Sequence, residues 1–518
     1  VDKLPVILKI LENLYELVSA LTPQEVEYFR LFAVSHPGGP TADQATLFEA
    51  LLDETRRSSG HVNRIEVDEI VSEGLSRELR RSLRFLYDDR DIQSQIRSRI
   101  AEAQVLQDKC LFHQSETTLR KGRELSAHFE RFYESLEIIN LQKSSLQHIL
   151  SLEEATLRRQ ELEVEESEVL KQLHNYMAYR NLAKEITEIY RRPEMSDEGS
   201  RLNLLERVFV QPLLRDEKLA QTFTACYYFL HLRSTYAYFL GDLPMAWDQS
   251  TRLLHLLRQK PFLVDLSQDG FMVTYFNNLT LTLELGEYDE FANRLEEFRG
   301  MPTSLIRFES PKFRQRVLER ACFLEIKYFL HRAMYVEGLQ RTERVADQLR
   351  DGSLRPDPYF EAQFYFLFAY FAYLNNLPDQ AQNWIDRILD VPEFREDARV
   401  SALVLRHIIA FEQGDRRIFD QELTSTYFFL EHSQRGLTVE RTFLFALHRA
   451  FRASSPEAVR ENFVLLREEL QTLRENPFEK NHLSSFDAVC WLDSQLSGEP
   501  FAQVFARRES AEKFRVMR

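Results

Sequence analysis

The sequence predicts an all-α protein, an array of helical hairpins preceded by an N-terminal helical region. Three observations predict it. Glycine is scarce: 15 residues in 518, where average usage would give about 36. A β-rich chain needs far more turn and left-handed positions than that. Nearly every periodic segment repeats its apolar residues every three or four positions, and no stretch alternates with a strand's period of two. After residue 200, a short turn between two apolar runs recurs at near-constant intervals.

Region 1–91 opens with apolar residues at Val6, Ile7, Ile10, Leu11, Leu14, Leu17, Val18 and Leu21, the stripe of one helix face. Lys9, Glu12 and Glu16 fall on its polar side, so the start reads as an amphipathic helix rather than a secretory leader. Thr22-Pro23-Gln24-Glu25 then has the order of a helix start: capping hydroxyl, proline in the first turn, glutamate at the third position. The turn-rich SHPGGPTADQ, Ser35–Gln44, breaks the next helix, and a second break is expected over Arg56–Asn63.

Region 92–192 is poor in glycine and strongly charged. Leu157–Arg192 has no internal breaker and predicts one helix of about 35 residues, roughly 50 Å long. Its acidic run, Glu161, Glu163, Glu165, Glu166 and Glu168, is expected to be a solvated face. PEMSDEG after Arg192 reads as a linker.

Region 200–518 carries the repeat. FLGDLPMAW, LELGEYDEF, FLHRAMYVE, YLNNLPDQA and FEQGDRRIF align on Gly241, Gly286, His331, Asn375 and Gly414, in steps of 45, 45, 44 and 39 residues. FRASSPEAV adds a sixth, with its turn near Ser454. One hairpin cannot bury its own apolar face, but stacked hairpins bury a continuous core. First helices sandwiched by neighbours can be apolar nearly all round, which accounts for Tyr359–Leu374 and Cys226–Leu240. The longest apolar run, Phe364–Leu374, has 11 residues, against the roughly 20 of a membrane span.

Composition narrows the function classes. The net charge is −15, which disfavours general attraction to nucleic acid or anionic membrane. The four cysteines, Cys110, Cys226, Cys322 and Cys490, are widely spaced in apolar runs; buried free thiols and a cytoplasmic location are expected. No phosphate-binding glycine loop, dinucleotide fingerprint, nucleophile elbow or paired-histidine zinc motif occurs. Cys110 and His113, three apart on an expected helix, lack a second ligand pair. His231 and His407 lie in apolar helices as packing residues, and the Asn278-Leu279-Thr280 triplet falls mid-helix. A non-enzymatic protein with no cofactor and no metal is the expectation.

The units resemble tetratricopeptide-type repeats. That motif places a small residue midway along the first helix and an alanine early in the second; here Ser234 and Ala369 stand twelve residues before Ala246 and Ala381. The first-helix tryptophan of the motif is missing and the repeats exceed its usual length. LTPQEVEYFRLFA (Leu21–Ala33), ATLFEALLDE, AEAQVLQDKCLFHQSETTLRKGRELSAHFERF and EVLKQLHNYMAYRNL resemble a group of helical proteins common in Bacteroidota, which brings no activity with it.

The repeat resemblance implies a right-handed superhelix whose concave groove binds a peptide or helix of a protein partner. His231, Thr235 and Tyr238 from one unit and Gln363, Tyr370 and Tyr373 from another would line it. On that expectation, alanine at Tyr370 and Tyr373 loses the partner but keeps the melting temperature. The main alternative is a regulatory nucleic-acid-associated role for Arg77, Arg80, Arg81 and Arg84, which fall within two helical turns. A third is an architectural subunit of a larger assembly.

Overall fold

A computed structural model describes residues 4–36, 39–56, 69–88, 92–191, 198–260, 268–304, 311–391, 396–415, 438–473 and 487–507, with Phe419, Thr426, Phe429 and Leu430. All regular structure among them is helical. The chain forms two compact units, Val1–His174 and Asn175–Arg518.

The first unit contains α1 (Leu4–Ser19), α2 (Pro23–Ser35), α3 (Ala42–Arg56), α4 (Glu69–Asp88), α5 (Ile92–Asp108), α6 (Phe112–His128), α7 (Phe132–Ile149) and the start of α8 (Leu152–Arg191). The capping box at Thr22 forms as expected. Glu25 N–H donates to Thr22 Oγ1 at 3.3 Å, and Thr22 N–H donates to the Glu25 carboxylate at 2.6 Å. Leu14 and Val18 of α1, Phe29 of α2, Phe48 and Leu51 of α3, and Leu75 and Leu79 of α4 form one core. The predicted break at 35–44 falls between α2 and α3; of the second, residues 57–63 lie outside the described residues.

The long helix α8 starts earlier than predicted and has 40 residues, about 60 Å. Ser151 starts it with a second capping box to Glu154. Its acidic run is not simply solvated. Glu165 pairs with Arg123 of α6 at 2.5 Å and Glu166 with Lys143 of α7 at 2.6 Å, so these two clamp α8 to the preceding hairpin. The linker after Arg192 lies mostly outside the described residues.

The second unit continues from α8 through α9 (Glu198–Phe209), two short 3-10 turns at Pro212–Leu214 and Glu217–Leu219, α10 (Phe223–Phe239), α11 (Leu243–Gln259), α12 (Gln268–Glu284) and α13 (Tyr288–Ser304). It goes on through α14 (Pro311–His331), α15 (Tyr335–Arg350), α16 (Pro358–Leu374), α17 (Pro378–Leu389), α18 (Glu396–Gln413), α19 (Thr438–Phe451), α20 (Pro456–Leu473), α21 (Ala488–Ser497) and α22 at 501–507. From α10 to α21 each helix packs on the next, and the first helices α12, α14, α16 and α18 also touch one another in sequence. Those contacts fit a helical repeat, in which successive units stack on one another.

One turn recurs throughout. Its left-handed residues are Cys110 and Glu130 in the first unit, and Gly241, Gly286, Ala333, Asn376 and Gly414 in the second, with φ between 50° and 80°. In each, the following residue's N–H donates to a carbonyl five positions back, as Asp242 does to Ala237 at 2.9 Å and Met334 to Phe329 at 2.9 Å. This closure satisfies the last carbonyls of the first helix. The third turn therefore sits two residues beyond His331, and the fourth one beyond Asn375. The sequence marks them poorly because neither carries glycine. Near Ser454 the chain turns without a left-handed residue, and Ser455 caps α20 instead.

Counting from the left-handed residue restores a common register. Five positions on stand Ser115, Ser135, Ala246, Phe291, Gly338, Ala381 and Phe419. Seven positions back, six of the seven turns have a buried Ala103, Ser234, Leu279, Ile326, Ala369 or His407. Small residues pair where two helices of a hairpin come closest. Ser234 Oγ donates to the Ala246 carbonyl at 2.8 Å; the first unit reverses the roles, with Ser115 Oγ donating to Ala103 at 3.0 Å. A side chain in the left-handed region costs about 1 kcal/mol relative to glycine. Ala333→Gly is expected to raise the unfolding free energy by about that amount, and Gly241→Ala to lower it similarly, in urea titrations of the full chain.

Candidate interaction surface

The first helices of the second unit meet through aromatic rings. Phe276 of α12, Phe323 of α14 and Phe360 and Phe364 of α16 lie 5.4–6.3 Å apart between centroids, mostly edge to face. The Arg320 guanidinium covers Phe360 at 4.8 Å and Phe276 at 5.9 Å. Beside it Glu319, almost wholly buried, pairs with Arg320 at 2.8 Å and accepts from the Asp357 amide at 2.8 Å, just before α16.

Burial pushes Glu319 up to about 7; the Asp357 carboxylate adds to this, while the Asp357 N–H, Arg320 and Arg316 oppose it. Its ordinary value is 4.5. Between these values the folded chain holds a proton that the unfolded chain has released. The resulting stabilisation is complete below pH 4.5 and is lost as pH rises through 7. Glu319→Gln keeps an acceptor for the Asp357 amide. It is expected to flatten the melting temperature between pH 5 and 7.5, measured by calorimetry against the parent chain.

The six groove candidates divide between α10 and α16. Thr235 Oγ1 donates to the His231 carbonyl at 2.8 Å, an intrahelical bond that leaves the residue half-buried. Burial lowers the pKa of His231, whose ring lies parallel to Tyr227 at 6.1 Å. The Glu284 carboxylate of α12 raises the Tyr238 hydroxyl; burial and Tyr359 of α16 raise it further. Tyr238 also packs against Ala237, Ala246 and, from α12, Leu281. Gln363 is half-buried on α16, one turn after Tyr359.

Tyr370 and Tyr373 do not face an open groove, which corrects the expectation for them. Tyr370 is 2% exposed, and its ring lies 6.4 Å from both Phe501 and Phe505 of α22. Tyr373 lies 5.7 Å from Phe501, and its hydroxyl donates to Glu412 Oε1 of α18 at 2.8 Å. Tyr335, at the start of α15, completes the seat: its ring is 6.4 Å from Phe505 and its hydroxyl donates to the Ala502 carbonyl at 3.2 Å. The chain's own last described helix occupies this site. Substituting Tyr370 thus reports on folding before it reports on binding. Sequence reasoning missed Tyr335, Glu412, Phe501 and Phe505. The available signal was the spacing of two phenylalanines four apart in FAQVF, just beyond Gly498 and Pro500.

In the first unit the arginine cluster lies on α4. Glu78, only 8% exposed in its side chain, stands 3.6 Å from Arg77 and 3.4 Å from Arg81. Arg81 also lies over Phe32 and Phe85, and Arg84 over Phe85. Arg77, Arg80 and Arg84 are exposed. Cys110 is exposed in its left-handed turn, not buried in an apolar run, and shares no helix with His113, which belongs to α6. His407 is buried as a packing residue, its Nδ1–H donating to the Leu403 carbonyl at 2.8 Å. Asn278 is fully buried, with its amide donating to Ser250 and Thr251. Among the described residues, no three metal-binding side chains converge and no helix is long and apolar enough to cross a membrane.

Searches against protein-family models, curated proteins and solved structures return no match.

Proposed function

We propose that the chain is a non-enzymatic scaffold that binds a helical segment of a protein partner on the first-helix face of its second unit. One observation carries this reading: at Tyr370 and Tyr373 that face, with Tyr335 of α15 beside it, already holds the chain's own helical residues 501–507 through aromatic side chains. Tyrosine suits such a surface, since it offers large area, few rotatable bonds and a polar tip. A cytoplasmic setting accords with four free thiols. The nucleic-acid alternative has less support, because Glu78 offsets charge from two of the four arginines.

The test is affinity capture of the tagged full chain from its native lysate, at low and high salt, with and without nuclease. The proposal expects a protein partner enriched under all four conditions. Recovery of nucleic-acid-bound proteins alone, lost on nuclease treatment, would overturn it.

A further inference from the structure

We infer that Glu284 of α12, beside Tyr238 of α10, is where the first-helix face receives a basic side chain of the partner's helix, lysine or arginine. The inference rests on the scaffold reading above and names the charge of the segment that this face accepts.

The register of α12 brings Glu284 to that face. Phe276, Thr280 and Glu284 follow one another at four-residue steps along one side of the helix. Phe276 meets Phe360 of α16 at 6.0 Å, and Phe360 meets Tyr359 edge to face at 5.2 Å. On the other flank, Ala237 of α10 and Leu281 of α12 share a buried cluster on which Tyr238 packs, one turn from Glu284. The Glu284 charge raises the Tyr238 hydroxyl more than burial does, and Tyr359 adds to this. Tyr238 therefore lies within electrostatic reach of both. Thr235 and Gln363 stand one turn away, on α10 and α16.

Neighbouring carboxylates are matched and this one is not. Asp269 pairs with Arg316 at 2.5 Å and Glu319 with Arg320 at 2.8 Å. Glu325 pairs with Arg299 at 2.5 Å and with Arg341 at 2.7 Å. Glu284 is half-buried, yet no cation or hydrogen-bond donor among the described residues reaches its carboxylate. Thr280 turns its hydroxyl to the Phe276 carbonyl at 3.0 Å, and Lys327 of α14 lies over the Phe323 ring at 5.9 Å. A half-buried carboxylate has lost hydration without gaining a partner, which folding leaves uncompensated. An incoming ammonium or guanidinium compensates it, and tyrosine faces also attract cations. A phosphate or carboxylate would be repelled here, and the net charge of −15 steers partners of the same positive sign.

The probes are fluorescent helical peptides of about five turns, built from alanine with one leucine stripe. Beside the stripe they carry two lysines, two arginines or two glutamines, one turn apart. Binding to the full chain is followed by anisotropy at physiological salt, where charges more than about 8 Å apart are largely screened. At least one basic peptide should bind at least tenfold more tightly than the glutamine peptide. Glu284→Gln should abolish that preference and leave the affinity for the glutamine peptide unchanged. Glu337→Gln, which removes an exposed acid from the second helix α15, should keep the preference. Glu284→Gln should also unfold at the same or a higher urea concentration than the parent, because the charge serves binding rather than folding. A preference lost equally in both variants would overturn the inference, showing general attraction to an acidic chain. A less stable Glu284→Gln would overturn it by giving the carboxylate a structural role. Equal binding of all three peptides would overturn it and leave the scaffold reading intact, whereas binding of none would overturn both.

Discussion

Trp491→Ala is expected to lower the stability of the second unit by about 3–5 kcal/mol, the largest effect of any single substitution considered. Trp491 is fully buried in α21. Its ring lies edge to face with Phe411 of α18 at 5.9 Å, Phe443 of α19 at 5.6 Å and Phe463 of α20 at 5.5 Å. Four helices thus converge on one side chain, and alanine leaves a void that their backbones can only partly close. The substitution also removes the indole N–H that holds Glu412, which in turn orients Tyr373. Loss should therefore spread from the core to the seat of α22. In repeat arrays neighbours unfold in part independently, so the effect should appear as a separate early transition by calorimetry. A single transition at the parent temperature would contradict this description of the C-terminal core.

Gly338→Ala is expected to cost about 1–3 kcal/mol, although it adds one methyl group to a helix and would raise intrinsic helix propensity. The added Cβ would stand 2.0 Å from Phe371 Cε1 and 2.5 Å from Cζ. Phe371 is fully buried among Phe364, Phe368 and Val345, so its ring has no free rotamer to take. Gly338 occupies the fifth position after a left-handed turn residue, where Ala246 and Ala381 stand in other hairpins; here the next unit's first helix fills the space instead. Gly300 is the useful control, since nothing lies within 4 Å of its added Cβ. Gly300→Ala should be neutral or stabilising in the same urea titration. A neutral Gly338→Ala would show that α15 and α16 are not packed this closely.

Much of the architecture was legible in the sequence because it rests on local rules. The Thr22 capping box, the break after Ser35 and the glycine turns at 241, 286 and 414 are signals carried within a few residues. Turns carrying alanine, cysteine or glutamate in the left-handed position gave no such signal, since context rather than propensity puts them there. That is why the third turn was placed at His331 and why Gly338 was not seen as the small residue of its hairpin. The charge run of α8 was misjudged for a related reason: Arg123 and Lys143, its partners, are distant in sequence. The candidate surface was legible only in part. The tyrosines were visible as a stripe on α16, but the helix that covers them arrives more than a hundred residues later, and no periodicity encodes that meeting.

The measurement that tests the central claim most directly is partner capture with two paired variants of the full chain. Thr235→Arg with Gln363→Arg places bulky charge at two half-buried positions of the second unit's first helices. Arg80→Glu with Arg84→Glu reverses two of the three exposed arginines of α4. Both pairs should keep the helical circular dichroism signal and melt within a few degrees of the parent. The scaffold account predicts that the first pair loses the captured protein at least tenfold and the second pair retains it. Retention by the first pair with loss by the second would contradict the account and move the interaction to the arginine face.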